Sequence, residues 1–137
     1  MPIEVMDETV IIAENDTMMR GLLRTLLART GRSLLLCADG TEAVALAAQH
    51  LATLVLLDLR MPRIDGIEAC ALIRALPRYA TVPIAILTVF DNESLRQRAM
   101  RAGANTFLAK PFSRDQLIGA VNPLILQRKQ EMAIEDH

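Results

Sequence analysis

Short apolar runs alternate along the chain with longer segments whose apolar positions recur at helical spacing. The runs at residues 10–13, 34–38, 54–57, 84–87 and 106–109 are bounded mostly by polar or turn residues. A strand covered by helices on both faces needs such a continuous run rather than strict alternation. Between the first two runs, Met19, Leu22, Leu23, Leu26 and Leu27 share one helical stripe, with Thr17 placed to cap its start and Gly31 beyond its end. Further helices are predicted over residues 41–49, 67–76 and 93–102, the last polar on most of its surface. A final helix starts near Ser113, and Asn122-Pro123 should kink or break it, because proline has no amide for the bond to the preceding turn. The pattern predicts one α/β domain over residues 8–127, a five-stranded parallel sheet with helices on both faces, and a polar, frayed tail at 128–137.

At 137 residues the chain suits one domain of ordinary size. Fifteen Lys and Arg against sixteen Asp and Glu leave a net charge of -1, so no basic field draws nucleic acid or anionic lipid. Three Phe, one Tyr and no Trp make an aliphatic core and supply no stacking platform for single-stranded nucleic acid. Cys37 and Cys70 lack a CxxC or histidine partner, which favours buried free thiols over a disulfide framework or a zinc site. No apolar run approaches the roughly 20 residues of a membrane helix, and MPIEVMDETV lacks the order of a signal peptide, so a cytoplasmic location is expected. His50, ending the second helix, and His137 read as surface residues.

In open parallel sheets, ligands bind beyond the carboxyl ends of the strands. Those positions hold Glu14, Asn15 and Asp16 after the first run, Asp58 after the third, Thr88 after the fourth, and Lys110 with Pro111 after the fifth. Acidic groups gathered there repel one another unless a cation offsets their charge, and hard oxygen donors suit Mg²⁺. A carboxylate with a hydroxyl and an ammonium aimed at the same point meets the needs of acyl-phosphate chemistry, with Asp58 as nucleophile.

At these residues the chain resembles the receiver domains of two-component response regulators, over roughly residues 10–126. The resemblance rests on LVLLDLRMPRIDG (residues 54–66), on Leu87 and Thr88, and on AGANTFLAKPF (residues 102–112), in the family's order and spacing. It implies a doubly wound (βα)5 flavodoxin-like fold with strand order 2-1-3-4-5. It also implies that Asp58 accepts a phosphoryl group from a histidine kinase or histidine phosphotransfer protein, that Thr88 and Lys110 bind the phosphoryl oxygens, and that Thr88 and Phe107 form the switch. Mg²⁺ would be held by Glu14, Asn15, Asp58 and the backbone carbonyl of Arg60. The output would be altered protein binding on the face of helix four, strand five and helix five, in a monomer or weak dimer. The chain looks most like the stand-alone, chemotaxis-type members, and no helix-turn-helix for direct DNA contact fits after residue 126.

The sequence departs from the family where two consecutive acids are usual. Here the pair is Glu14-Asn15, which removes one negative charge from the metal site. Asp16 could compensate or simply cap the first helix. Arg60 and Phe90 stand where side chains flank the route of hydrolytic water, so this bulky pair is expected to slow dephosphorylation, unless Phe90 only packs on helix four. Val89 could narrow the approach of a phosphodonor. The alternative function is a degenerate receiver, binding its partner regardless of phosphorylation. A phosphohydrolase or mutase would need a D-x-D string after the first strand, and a flavin carrier a phosphate-cradling loop there; neither is present.

Overall fold

Ten elements alternate along the chain: β1 (Glu8–Ala13), α1 (Thr17–Leu27), β2 (Arg32–Cys37), α2 (Gly40–Gln49), β3 (Leu54–Asp58), α3 (Gly66–Arg74), β4 (Ile84–Thr88), α4 (Glu93–Arg101), β5 (Thr106–Ala109) and α5 (Arg114–Glu135). The computed structural model describes the backbone of residues 8–135 and the side chains of residues 8–131. The five strands are all parallel, in the order β2-β1-β3-β4-β5. This is the doubly wound order implied by the family resemblance.

The apolar runs are continuous because successive residues serve opposite faces of the sheet. Ile11, Val55, Leu57, Ile84 and Ile86 pack under α2, α3 and α4, against the small residues Ala43, Ala47, Ala69 and Cys70. Val10, Ile12, Leu54, Leu56 and Leu87 pack on the other face, against Leu23 and Leu27 of α1 and Leu117, Val121 and Ile125 of α5. Both cysteines are free and buried, and burial pushes each thiol up to about 11.

The helix starts differ in one place from the expected chemistry. Asp16, not Thr17, caps α1: its backbone is extended and its carboxylate accepts from the Met19 amide at 3.3 Å, while Thr17 is already helical. Gly31 does not close that helix. α1 ends at Leu27 with Ala28 extended, and Gly31 turns the chain into β2 at φ 81°. Asp65 and Glu68 form a reciprocal capping box on α3, and Ser113 and Gln116 exchange the same two bonds at the start of α5.

The expected break at Pro123 does not occur. α5 continues through it to Glu135 and takes in residues 128–135, which read from sequence as a frayed tail. Proline costs the helix one backbone bond, about 3 kcal/mol in an unsupported helix interior. Here the helix is fastened on both sides of it, by Leu117 and Val121 before and by Ile125 after. Further along, Arg128 bonds the Thr81 hydroxyl and the Lys129 ammonium lies 2.5 Å from Glu8. Glu8 also pairs with Arg32 at 2.6 Å. Burial alone would push the Glu8 carboxyl up, but the bonds from Lys129 and Arg32 outweigh it and hold the carboxyl below its usual range.

Two further ties were not legible in the sequence. Arg74 donates from its guanidinium to the carbonyls of Tyr79, Val82 and Gly103 and to the Asn105 side chain, lacing the β4 and β5 entries to α3. The Tyr79 hydroxyl donates to the His50 carbonyl and accepts from the Ala52 amide at 3.0 Å, fixing the entry to β3.

Candidate functional site

The carboxyl ends of β1, β3, β4 and β5 bring Glu14, Asp58, Thr88 and Lys110 to one mouth. Glu14 is wholly buried just beyond β1. One of its oxygens pairs with the Lys110 ammonium, and the other accepts from the Asp16 amide at 3.0 Å. Burial, reinforced by the neighbouring Asp58 carboxylate, pushes the Glu14 carboxyl up to about 7, against the opposing pull of Lys110. Arg20, which sequence reasoning missed, donates to the Glu14 carbonyl at 2.8 Å and so steadies the end of β1.

Asp58 closes β3 and is 7% exposed, enough to face a ligand from within the cleft. Its Oδ1 lies 3.2 Å from Lys110 Nζ, and its Oδ2 takes a longer bond, 3.4 Å, from the Asn15 amide. The Lys110 ammonium thus lies between the two carboxylates and offsets part of their repulsion. Lys110 is itself registered to β4, its amide donating to the Thr88 carbonyl at 2.6 Å. The Thr88 hydroxyl accepts from the Phe90 amide at 2.9 Å, which leaves its own proton to donate.

These groups line an open cleft of about 430 Å³ walled by Asn15, Met19, Arg60, Val89 and Phe90. The Arg60 guanidinium lies 4.3 Å above the Phe90 ring. Phe90 is therefore engaged at the cleft rather than only against α4, and remains 39% exposed. Val89, 63% exposed, stands beside it on the rim. Phe107 does not reach the cleft; it is buried beneath α4, with Arg96 stacked 4.9 Å above its ring.

One glycine shapes the floor. A Cβ on Gly66 would stand 2.4 Å from the Asp58 carbonyl oxygen, so only glycine lets the start of α3 approach the back of Asp58. From sequence, Asp65-Gly66 is also readable as a plain turn, and nothing local announces that approach.

The donor set for a divalent ion is lean. Among the described residues no group of three or more acidic, His or Cys side chains is placed to hold a metal. Glu14 has both oxygens engaged, and Asp16 is an exposed helix cap. The Asp58 carboxylate, the Asn15 amide oxygen and the Arg60 carbonyl remain as hard oxygen donors at the cleft. Magnesium is commonly bound by one or two carboxylates while keeping several waters, so this set fits it, with less charge than a pair of adjacent acids would give.

A doubly wound parallel sheet carrying an Asp–Lys–Glu cluster and a buried Thr at its carboxyl edge defines a CheY-like receiver fold. The chain belongs to the response regulator receiver domain family, whose model matches residues 10–122. It is 40% identical over 127 residues to the transcriptional regulatory protein PdtaR of Mycobacterium tuberculosis, covering 92% of this chain and 60% of that protein. It is 34% identical over 130 residues to response regulator MprA of Mycobacterium bovis, covering 95% and 56%. The chain therefore spans less than two thirds of the length of these relatives. Among solved structures, the receiver domain of sensor histidine kinase PA1611 from Pseudomonas aeruginosa, with magnesium in its active site cleft, is 31% identical with a TM-score of 0.79 over 87% of this chain and 98% of that one. Chemotaxis protein CheY4 of Vibrio cholerae is 25% identical with a TM-score of 0.81 over 86% and 98%. Receiver domains are signalling modules of two-component systems, and no helix among the described residues is long and apolar enough to cross a membrane.

Proposed function

We propose that this receiver is phosphorylated on Asp58 by a histidine kinase or phosphotransfer protein in the cytoplasm, and signals by a change in protein binding. The observation that carries this reading is the Lys110 ammonium seated between the Asp58 and Glu14 carboxylates in an open cleft. In the transfer, an Asp58 oxygen attacks phosphorus, the phosphorus–nitrogen bond of the donor phosphohistidine breaks, and the imidazole leaves with the electron pair. Lys110 and the Thr88 hydroxyl supply donors to the oxygens of the transferred group. Magnesium, held by Asp58, the Asn15 amide and the Arg60 carbonyl, would neutralise charge developing on those oxygens.

The phosphoryl group can bias the domain only through contacts it makes differently in two states. Thr88 is the natural differential contact: turning its hydroxyl toward the phosphoryl group gives up the bond from Phe90 and frees residues 89–92. Phe107, under α4, would then respond, altering the face formed by α4, β5 and α5.

A second reading is favoured by the single-carboxylate donor set and the engaged Glu14: a binding module indifferent to phosphorylation. Intact-mass analysis after incubation with a small-molecule phosphodonor, with and without Mg²⁺, separates the two. The first reading expects one phosphoryl group that needs Mg²⁺ and is absent in Asp58→Asn. No label on folded protein, with an authentic receiver labelled alongside, would move the assignment to the second.

A further inference from the structure

Glu14 stands just past the last register pairs of β1, which join Ala13 to Cys37 and to Leu57. Its amide still reaches the sheet, donating to the Cys37 carbonyl at 3.0 Å, but among the described residues no backbone amide donates to its carbonyl. Glu14 is wholly buried, and a carbonyl buried without a donor is costly. The donor comes instead from α1, where Arg20 Nη1 bonds that carbonyl at 2.8 Å.

The Glu14 carbonyl and the Asn15 amide are the two ends of one trans peptide plane. In such a plane the C=O and the N–H point in opposite directions, and twisting them apart is strongly resisted. By holding the carbonyl, Arg20 fixes the direction in which the Asn15 N–H leaves, and that N–H donates to Asp58 Oδ2 at 3.4 Å. Lys110 holds the other oxygen, Oδ1, at 3.2 Å, so the two bonds together set the plane of the Asp58 carboxylate. A bond of 3.4 Å is too long to keep the amide in line by itself, and its aim depends on the firmer bond behind it. The guanidinium charge also polarises the shared amide and makes its N–H the stronger donor.

We infer that Arg20 is a positioning residue for phosphoryl transfer: it does not touch Asp58, but through the Glu14–Asn15 peptide it aims the amide that orients the Asp58 carboxylate. The inference rests on the reading of Asp58 as the phosphoacceptor. Arg24, one turn further along α1 and exposed, is the matched control.

The test pairs two readouts on the parent, Arg20→Ala, Arg20→Lys and Arg24→Ala. One is the initial rate of mass gain at saturating acetyl phosphate and Mg²⁺. The other is the NMR shift of the Asn15 amide proton in unphosphorylated, isotope-labelled protein, which follows its bond to Asp58. Arg20→Ala should label about tenfold more slowly, short of the roughly hundredfold that a misplacement of about 1 Å costs. Its Asn15 proton should move upfield in an otherwise folded spectrum, and that movement should largely vanish in an Asp58→Ala background. Arg20→Lys, which restores a cationic donor, should recover most of the rate and of the shift, and Arg24→Ala should match the parent in both. Labelling of Arg20→Ala at the parent rate, or slowed labelling with the Asn15 proton unmoved, overturns the inference. A parent that takes no label overturns the phosphoacceptor reading instead, and the Asn15 proton alone then decides for or against Arg20.

Discussion

Opening the Arg60–Phe90 stack should shorten the life of the phosphorylated protein. The guanidinium lies 4.3 Å over the ring, and both side chains wall the cleft that holds Asp58. Arg60 is exposed and Phe90 partly so, which puts the contact at about 0.5–1 kcal/mol, the range of solvent-facing cation–π pairs. If the stack has to part before water reaches the acyl phosphate, the closed population slows hydrolysis by the matching Boltzmann factor, about two- to fivefold. Arg60→Ala and Phe90→Ala should each accelerate dephosphorylation by about that factor. The double variant should go no further, because either change alone already opens the stack. Arg60→Asn with Phe90→Glu should likewise be shorter-lived than the parent. The assay is loss of the phosphoryl group from purified protein after donor removal, followed by intact mass at fixed Mg²⁺. Unchanged lifetimes, or single effects that multiply in the double variant, would refute the lid.

Two other outcomes test the architecture, one at the site and one at the opposite end of the sheet. Gly66→Ala should lower stability by about 1–3 kcal/mol in urea unfolding and reduce the phosphorylation yield, since the new methyl meets the Asp58 carbonyl at 2.4 Å; Gly21→Ala, where a Cβ meets nothing within 4 Å, is the control expected to leave the yield intact. Glu8 has a carboxyl held below its usual range, so its contribution is present above the unfolded value near 4.5 and is lost as pH falls through the folded value. Glu8→Gln should therefore cost about 3 kcal/mol near neutrality, leaving Arg32 buried without its partner, and the gap to the parent should close in strong acid. A gap independent of pH would show that packing, not charge, is lost.

The strands and the cluster at their ends were legible because both are written locally. A strand buried on two faces has to be a continuous apolar run, as residues 54–57 and 84–87 are, and the residue where each run meets polar chain, Asp58 and Thr88, is where a parallel sheet exposes its chemistry. What escaped is written across distance. Pro123 reads as a helix breaker because its neighbours in sequence say nothing of Ile125 and Lys129 fastening the far half to the sheet. The role of Arg74 is not legible because its partners are carbonyls of residues 79, 82 and 103, which no side-chain pattern records. The Thr17 and Asp16 caps differ by one position, within the ordinary ambiguity of a helix start when two good capping residues adjoin.

The uninterrupted α5 carries a mechanical consequence. Its front half follows directly on Lys110 and Pro111, and its rear half is bolted to Glu8 and Thr81 at the other end of the sheet. At Pro123 the ladder joining the halves lacks a rung, so the helix has a compliant joint in its middle. The weakest point of the helix backbone thus falls between the half beside the carboxyl edge and the half bolted to the far end of the sheet.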